Sequence, residues 1–124
     1  MVYVWIGCGG LIGACARYAA YQLVAARVGA GFPVGTLVVN LTGSFAIGVL
    51  VTVLLTRAAD PAWRWLLVTG FLGGYTTFSA FSFETVVLLQ EGRWSRAALY
   101  VVASNLGGLL ACWVGIILGR TLGR

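Results

Sequence analysis

Four long apolar runs constrain this chain more than any other feature of its sequence. They cover residues 2–26, 34–56, 65–89 and 97–119, and the short segments between them contain glycine, proline and acidic residues. A helix of about 20 residues crosses the roughly 30 Å hydrocarbon core of a bilayer, so each run is long enough. Backbone groups in lipid must bond within the chain, which favours helices. The runs therefore predict an all-α integral membrane protein, a single four-helix transmembrane domain over residues 1–124.

The charge content argues against a soluble domain. Only 9% of the residues are charged, against about 25% in typical soluble domains. The arginines are scattered near the ends of the apolar runs, so we expect the partner to be the lipid bilayer and not nucleic acid. The three cysteines lack metal-ligand spacing, and we expect them to be reduced and buried.

The distribution of arginine bears on orientation in the membrane. Four spans put both termini on one side, which then carries four loop or tail arginines against three on the other. The first set is Arg57, Arg64, Arg120 and Arg124, and the second is Arg27, Arg93 and Arg96. An arginine imbalance normally fixes orientation, so this near balance predicts insertion both ways and an antiparallel, dual-topology homodimer. Insertion in a single orientation is the alternative.

Small residues recur four positions apart in several runs. Such spacings let helix backbones approach closely, so they predict tight contacts between the helices. The pairs are Gly9/Gly13, Gly70/Gly74, Ser104/Gly108 and Gly115/Gly119.

Polar residues line up within the apolar runs. In the second run, Thr36, Asn40 and Ser44 share one helix face, and in the fourth Tyr100 lies above Ser104 on a face of small residues. The hydroxyls are compatible with ordinary packing, in which they bond back to their own helix. Asn40 is different, because its two N–H donors need partners that an isolated helix does not supply.

The third run contains poor helix-forming material at GGYTT, residues 73–77. We predict a helix break there, near the middle of the membrane, with a new helix starting near Phe78. Unwound backbone at that depth must be buried or line a water or ion site, and its free carbonyls suit a bare cation. Phe78 and Phe81 follow on one face, and a ring edge can hold an anion, although plain packing is the alternative.

Arg17 and Glu84 are the two charges that fall deep within apolar runs. Each is a candidate coupling group. The alternatives are an arginine–carboxylate pair, or side chains that extend toward the membrane surface.

These same residues carry a resemblance to a known family. GTLVVNL at 35–41 and GFLGGYTTFSAFSFE at 70–84 resemble the Fluc/CrcB family of small fluoride channels. GACAR at 13–17 and LLQEG at 88–92 extend the resemblance, which covers nearly the whole chain. It implies a passive, fluoride-selective channel of the bacterial cytoplasmic (inner) membrane that exports fluoride and protects against its toxicity. It also implies a dual-topology antiparallel homodimer with two fluoride pathways.

The resemblance further implies roles for individual residues. Asn40 would donate to fluoride, and Phe78 and Phe81 would hold it through their ring edges. The full set that we assign to the fluoride pathway is Thr36, Asn40, Phe78, Phe81, Tyr100 and Ser104. Backbone carbonyls of Gly73 and Thr76 would bind a structural sodium ion at the dimer centre. Gly108 departs from the pattern, because some relatives carry a second hydroxyl there.

Two other functions compete with the channel. A dual-topology, proton-coupled exporter of small cations would need a membrane carboxylate, and only Glu84 is available, since residues 2–16 contain no acid. A non-transporting assembly subunit would use the glycine faces to bind a partner. We predict no enzymatic activity and no catalytic residues.

Overall fold

The computed structural model describes residues 1–29 and 31–124, and all the regular structure within them is helical. The elements are α1 (Val2–Val28), α2 (Val34–Thr56), α3 (Pro61–Trp63), a π-helical segment (Arg64–Leu72), α4 (Gly73–Tyr75), α5 (Phe78–Gln90) and α6 (Trp94–Leu122). By length and composition, α1, α2, the stretch Pro61–Gln90 and α6 can each cross a membrane. The prediction of an all-helical protein with four candidate spans is therefore confirmed.

The helices are longer than three of the predicted spans. The third stretch begins at Pro61 rather than at 65, and α6 covers Trp94–Leu122 rather than 97–119. Hydropathy marks the residues suited to hydrocarbon, whereas a helix continues until a capping residue ends it. Asp60 supplies one such cap, since its side chain accepts from the Ala62 N–H at 2.8 Å, directly before a proline at the first helical position.

Glycines mark the connectors after α1 and α5. Gly29 and Gly92 both have φ of 71°, a left-handed conformation that glycine adopts without a steric penalty. The predicted first connector, residues 29–33, includes Ala30, which lies outside the described residues.

Backbone contact joins α1 to the π-helical segment and α4. A Cβ added at Gly9 would lie 2.8 Å from the Phe71 nitrogen and 3.0 Å from the Gly70 Cα, closer than a real side chain tolerates. Gly13 and Gly74 meet backbone atoms of the facing element in the same way. The close contacts predicted from the spacing of these glycines are confirmed, and both elements depend on the absence of side chains there.

The most extensive contact between helices is that of α2 with α6. A Cβ added at Gly48 would lie 2.9 Å from the Ile116 nitrogen, and one at Gly119 would lie 2.9 Å from the Val49 carbonyl oxygen. Gly115 lies equally close to the α2 backbone. The small-residue face of α6 therefore packs on α2, as its spacing predicts.

At both ends of the helices, arginine side chains donate hydrogen bonds to backbone carbonyls of distant segments. Arg57, after α2, donates to the Leu122 carbonyl at 2.8 Å. At the opposite end, Arg93 and Arg96 both donate to the Gly31 carbonyl, Arg96 at 3.0 Å. The α1–α2 and α5–α6 connectors are thereby held beside each other.

The cysteines correct one expectation. All three are free, but Cys8 and Cys15 are exposed on α1 and only Cys112 is partly covered. The prediction that they are buried is wrong for the first two. The reason is that lipid, like a protein interior, accepts apolar side chains, so an apolar residue in a membrane helix need not face protein.

Candidate functional site

The backbone leaves the helical region at Thr76 and Thr77, between α4 and α5. Thr76 has φ −82° and ψ 160°, and Thr77 has φ −153° and ψ 114°. Thr77 then starts α5, because its hydroxyl accepts from the Ala80 N–H at 3.2 Å. In a continuous helix the N–H groups of Thr77 and Ala80 would bond the carbonyls of Gly73 and Thr76. Here both N–H groups bond to side chains instead, so these two carbonyls lose their helical partners.

The side chain of Asn40 occupies the gap in this hydrogen-bond pattern. Its Nδ2 donates to the Thr77 carbonyl at 3.0 Å, and its Oδ1 accepts from the Thr77 N–H at 2.8 Å. A flipped amide would place donor against donor, so these two partners fix its orientation. A primary amide has two N–H donors, and one of them is left after these bonds. Asn40 therefore caps the interruption and keeps a donor for another group.

An open groove of about 290 Å³ lies beside the interruption, between α2, α5 and α6. Its lining residues are Asn40, Gly43, Ser44, Ile47, Thr76, Thr77, Phe78, Phe81, Ser104 and Asn105. Four of the six predicted fluoride-pathway residues meet here: Asn40, Phe78, Phe81 and Ser104. The lining carries hydroxyls, amides and aromatic rings but no formal charge.

The two phenylalanines of the groove are neighbours on α5. Their ring centroids are 5.6 Å apart with the planes tilted by 46°. The Phe78 side chain is 77% exposed in a single chain, whereas Phe81 is partly buried and packs against Tyr100, with centroids 5.2 Å apart. The pair therefore runs from the open face of the groove toward the protein interior.

Thr36 and Tyr100 do not line the groove with the other four residues. Both donate to the Glu84 carboxylate, Thr36 at 2.7 Å and Tyr100 at 2.6 Å, and Tyr100 is fully buried. Thr36 lies one helical turn before Asn40 on α2, and this turn separates it from the interruption. The six predicted residues thus form two groups, and Phe81 contacts both.

Arg17 and Glu84 do not pair with each other. Glu84 is bound by hydroxyls, and Arg17 donates through Nη1 to the Thr76 carbonyl at 3.4 Å. In the part of the chain that the structure describes, the one ion pair joins Arg93 and Glu91 at 3.1 Å. The arginine–carboxylate alternative for Arg17 and Glu84 is therefore wrong, and the Arg17 guanidinium lies beside one of the two carbonyls predicted to bind sodium.

Thr77 and Asn105 are absent from the predicted site residues, although both line the groove. Asn105 is an amide within an apolar run, directly after Ser104, and that is the signal by which the sequence could have identified it. Thr77 acts through its backbone and as the N-cap of α5, and both roles depend on where the helix restarts. Carboxylate, cysteine or histidine groupings that could hold a metal are not found among residues 1–29 and 31–124.

Comparison with known proteins identifies the family to which this chain is related. The sequence profile of CrcB-like protein, Camphor Resistance (CrcB), matches residues 4–116. The fluoride-specific ion channel FluC of Acidobacterium capsulatum is 43% identical over 123 residues, 98% of each chain. FluC 2 of Geobacillus kaustophilus is 47% identical over 116 residues, 93% of this chain and 90% of that protein. FluC of Solibacter usitatus is 46% identical over 121 residues, 97% and 99% of the two chains. A match of this extent and identity means that the chain belongs to the CrcB family.

Proposed function

We propose that this protein is a passive, fluoride-selective channel that exports cytoplasmic fluoride and so protects the cell against its toxicity. The observation that carries the proposal is the groove in which Asn40, Phe78, Phe81 and Ser104 meet. The neutral hydrogen-bond donors and aromatic ring edges of this groove suit fluoride, the ion named for the relatives. We further propose that the chain resides in the cytoplasmic (inner) membrane of a bacterium.

Selectivity follows from the kind of donors that line the groove. Fluoride is small and strongly hydrated, so it enters a narrow site only where donors replace its water. The free N–H of Asn40, the Ser104 hydroxyl and the positive ring edges of Phe78 and Phe81 offer partial positive charge. Because none carries a full charge, the anion is stabilised without being trapped, which conduction requires.

Fluoride crosses the membrane as the neutral acid and loses its proton at neutral cytoplasmic pH. A passive pore then lets the negative-inside potential expel the anion. Over 100 mV that potential contributes about 2.3 kcal/mol per charge, so export needs no further energy source.

We propose that the working unit is an antiparallel, dual-topology homodimer. Two observations support this. The groove is open in a single chain, where Phe78 is 77% exposed, so a second copy is needed to enclose an ion path. The arginines near the ends of the four spans divide into a set of four and a set of three on the two sides, which suits insertion in both orientations.

We propose that the interruption at Thr76 and Thr77 lies near the middle of the membrane and that the carbonyls of Gly73 and Thr76 bind a structural sodium ion. Both carbonyls lack their helical partners, as a cation site requires. The Arg17 guanidinium beside the Thr76 carbonyl is a competing positive charge. Sodium binding therefore requires Arg17 to withdraw from that oxygen.

The sodium proposal predicts the effect of Arg17→Gln. Removing the competing charge lowers the sodium concentration needed for stabilisation by about tenfold, corresponding to about 1.4 kcal/mol. The measurement is the Tm of the detergent-solubilised protein against sodium chloride, with N-methylglucamine chloride at equal ionic strength as the control. A wild-type Tm that responds equally to both salts would contradict the site.

The competing exporter function is not favoured, because the relatives are named as channels and their substrate is an anion. Glu84, the one carboxylate available to it, is partly buried and accepts two hydroxyl hydrogen bonds. Glu84→Gln tests this alternative. A transport activity that loses its dependence on a proton gradient in this variant would support the exporter.

The decisive experiment is fluoride efflux from liposomes that contain the purified protein. We expect fluoride to leave rapidly once valinomycin allows potassium to follow, while chloride leaves no faster than from protein-free liposomes. Fluoride efflux equal to that of protein-free liposomes would refute the channel. It would also leave the non-transporting assembly subunit as the better description.

A further inference from the structure

The polar lining of the groove continues beyond Asn40 and the phenylalanine pair. Ser44 lies one helical turn further along α2, about 6 Å from Asn40 along the helix axis. It faces α6, because a Cβ added at Gly108 would lie 3.5 Å from the Ser44 hydroxyl oxygen. Since Gly108 has no side chain, the hydroxyl at this point of the groove comes from α2.

Ser104 contributes a hydroxyl whose hydrogen-bonding capacity is unused within the described chain. Its Oγ is buried, and no partner for it is found among residues 1–29 and 31–124. Leaving a buried hydroxyl unpaired costs about 1–3 kcal/mol, so such a group in a native protein normally binds something. Because Ser104 lines the groove, we expect its partner to be a species within the groove.

Asn105 adds an amide from the next position of α6. Its Nδ2 donates to the Val101 carbonyl of its own helix at 2.8 Å. This bond holds the side chain in place and leaves a second N–H on the same nitrogen. Like Asn40, Asn105 has one N–H donor engaged by backbone and one left over, although its bond is to its own helix.

We propose that Ser44, Ser104 and Asn105 form a second anion site in the groove, one turn along α2 from the site at Asn40. This inference rests on the proposed function and deepens it, because it assigns Ser44 and Asn105 to fluoride recognition. Two hydroxyls and an amide N–H offer neutral donors to a small, hard anion. Ser104 is then shared between the two sites, and fluoride leaving Asn40 and the phenylalanine rings meets the added donors of Ser44 and Asn105 before it meets bulk water.

The two sites together serve conduction. A single strong site holds an ion, whereas neighbouring sites of similar strength let one ion replace another. Removing the second site leaves fluoride at Asn40 with a longer step to its next donors. We therefore expect loss of this site to slow transport and to weaken the apparent affinity for fluoride.

The test compares fluoride efflux from liposomes for the full chain and its variants over a range of fluoride concentrations. In Ser44→Ala/Asn105→Ala we expect the maximal flux to fall about thirtyfold and the half-saturating concentration to rise, since two donors are lost and each is worth about 1 kcal/mol. Ser44→Thr keeps the hydroxyl and retains most of the flux. Thr121→Ala is the matched control, because it removes a hydroxyl of α6 that bonds the Leu118 carbonyl and does not line the groove.

The possible outcomes distinguish failure of the second-site proposal from failure of the proposed channel function. Wild-type efflux with an unchanged double variant would overturn the second site and leave the proposed function standing. Absence of wild-type efflux would overturn both. If the double variant elutes differently from the wild type on size exclusion, its flux does not report on the site, and the fluoride efflux of the two single variants is compared instead. In that case Ser44→Ala must lose flux where Ser44→Thr keeps it.

Discussion

The two halves of the third span are built in opposite ways. The first half, the π-helical segment and α4, contacts α1 through glycines, with backbone against backbone. The second half, α5, presents large side chains outward, and Phe78 and Phe83 are 77% and 71% exposed. In the first half the absence of side chains determines the packing, whereas in the second the side chains themselves are available for binding. We infer that the first half governs folding and the second governs transport.

The largest effect should come from Gly9→Ala, which adds a methyl group where the α1 and π-segment backbones touch. The methyl would meet the Leu66 carbonyl, a backbone atom that cannot rotate away. We expect a loss of about 3 kcal/mol or more, visible as little folded protein on size exclusion after detergent extraction. Gly7→Ala is the control, since its added Cβ has nothing within 4 Å. Equal yields of the two variants would show that this contact does not govern folding.

An intermediate effect is expected at Asn40, which joins the second half of the third span to α2. Asn40→Ala leaves the N–H and carbonyl of Thr77 unpaired, at about 1 kcal/mol for each group, because Thr77 lines the open groove and part of the loss can be made good there. Both Tm and fluoride flux should fall. Asn40→Asp keeps the acceptor for the Thr77 N–H, so it should recover part of the Tm but none of the flux. Flux in the aspartate variant equal to wild type would show that the amide donor has no role in transport.

The smallest effect on stability, and the most selective effect on transport, should come from Phe78→Ile and Phe81→Ile. Isoleucine keeps an apolar side chain but removes the ring edge, so flux should fall about tenfold while the protein elutes as the wild type does. Phe83→Ile is the matched control, because Phe83 is on α5 and exposed but does not line the groove. Unchanged flux in both groove variants would remove the ring edges from the mechanism.

The spans, the glycine contacts and the position of the extended residues could be predicted from local features of the sequence. Each apolar run lies within one of the four candidate spans, because crossing lipid demands a length that hydropathy records directly. The glycine contacts also follow from spacing, since residues four apart share a helix face. The extended residues Thr76 and Thr77 fall within GGYTT, a stretch of low helix propensity in the third run.

The partners of polar side chains were harder to predict. Asn40 meets Thr77 and Thr36 meets Glu84 across 37 and 48 positions of the chain, and no periodicity encodes such distances. Arg17 and Glu84 show the same difficulty. Their opposite charges suggest a pair, yet the fold places a carbonyl beside one and two hydroxyls beside the other. The predicted burial of Cys8 was wrong for a different reason. Apolar residues in a bilayer can face either lipid or protein, so an apolar run does not show which of its side chains are buried.

The bond between Asn40 and the backbone of Thr77 has a consequence for how such a chain can change over generations of mutation. For stability, an amide at position 40 is useful only while the backbone at 77 is extended, and the extended backbone is tolerable only while an amide bonds it. Neither can be lost alone without leaving buried polar groups unpaired. The stability effects of mutations at the two positions should therefore depend on each other. A substitution that restores a continuous helix should leave the Tm unchanged only in a background that has already lost the asparagine.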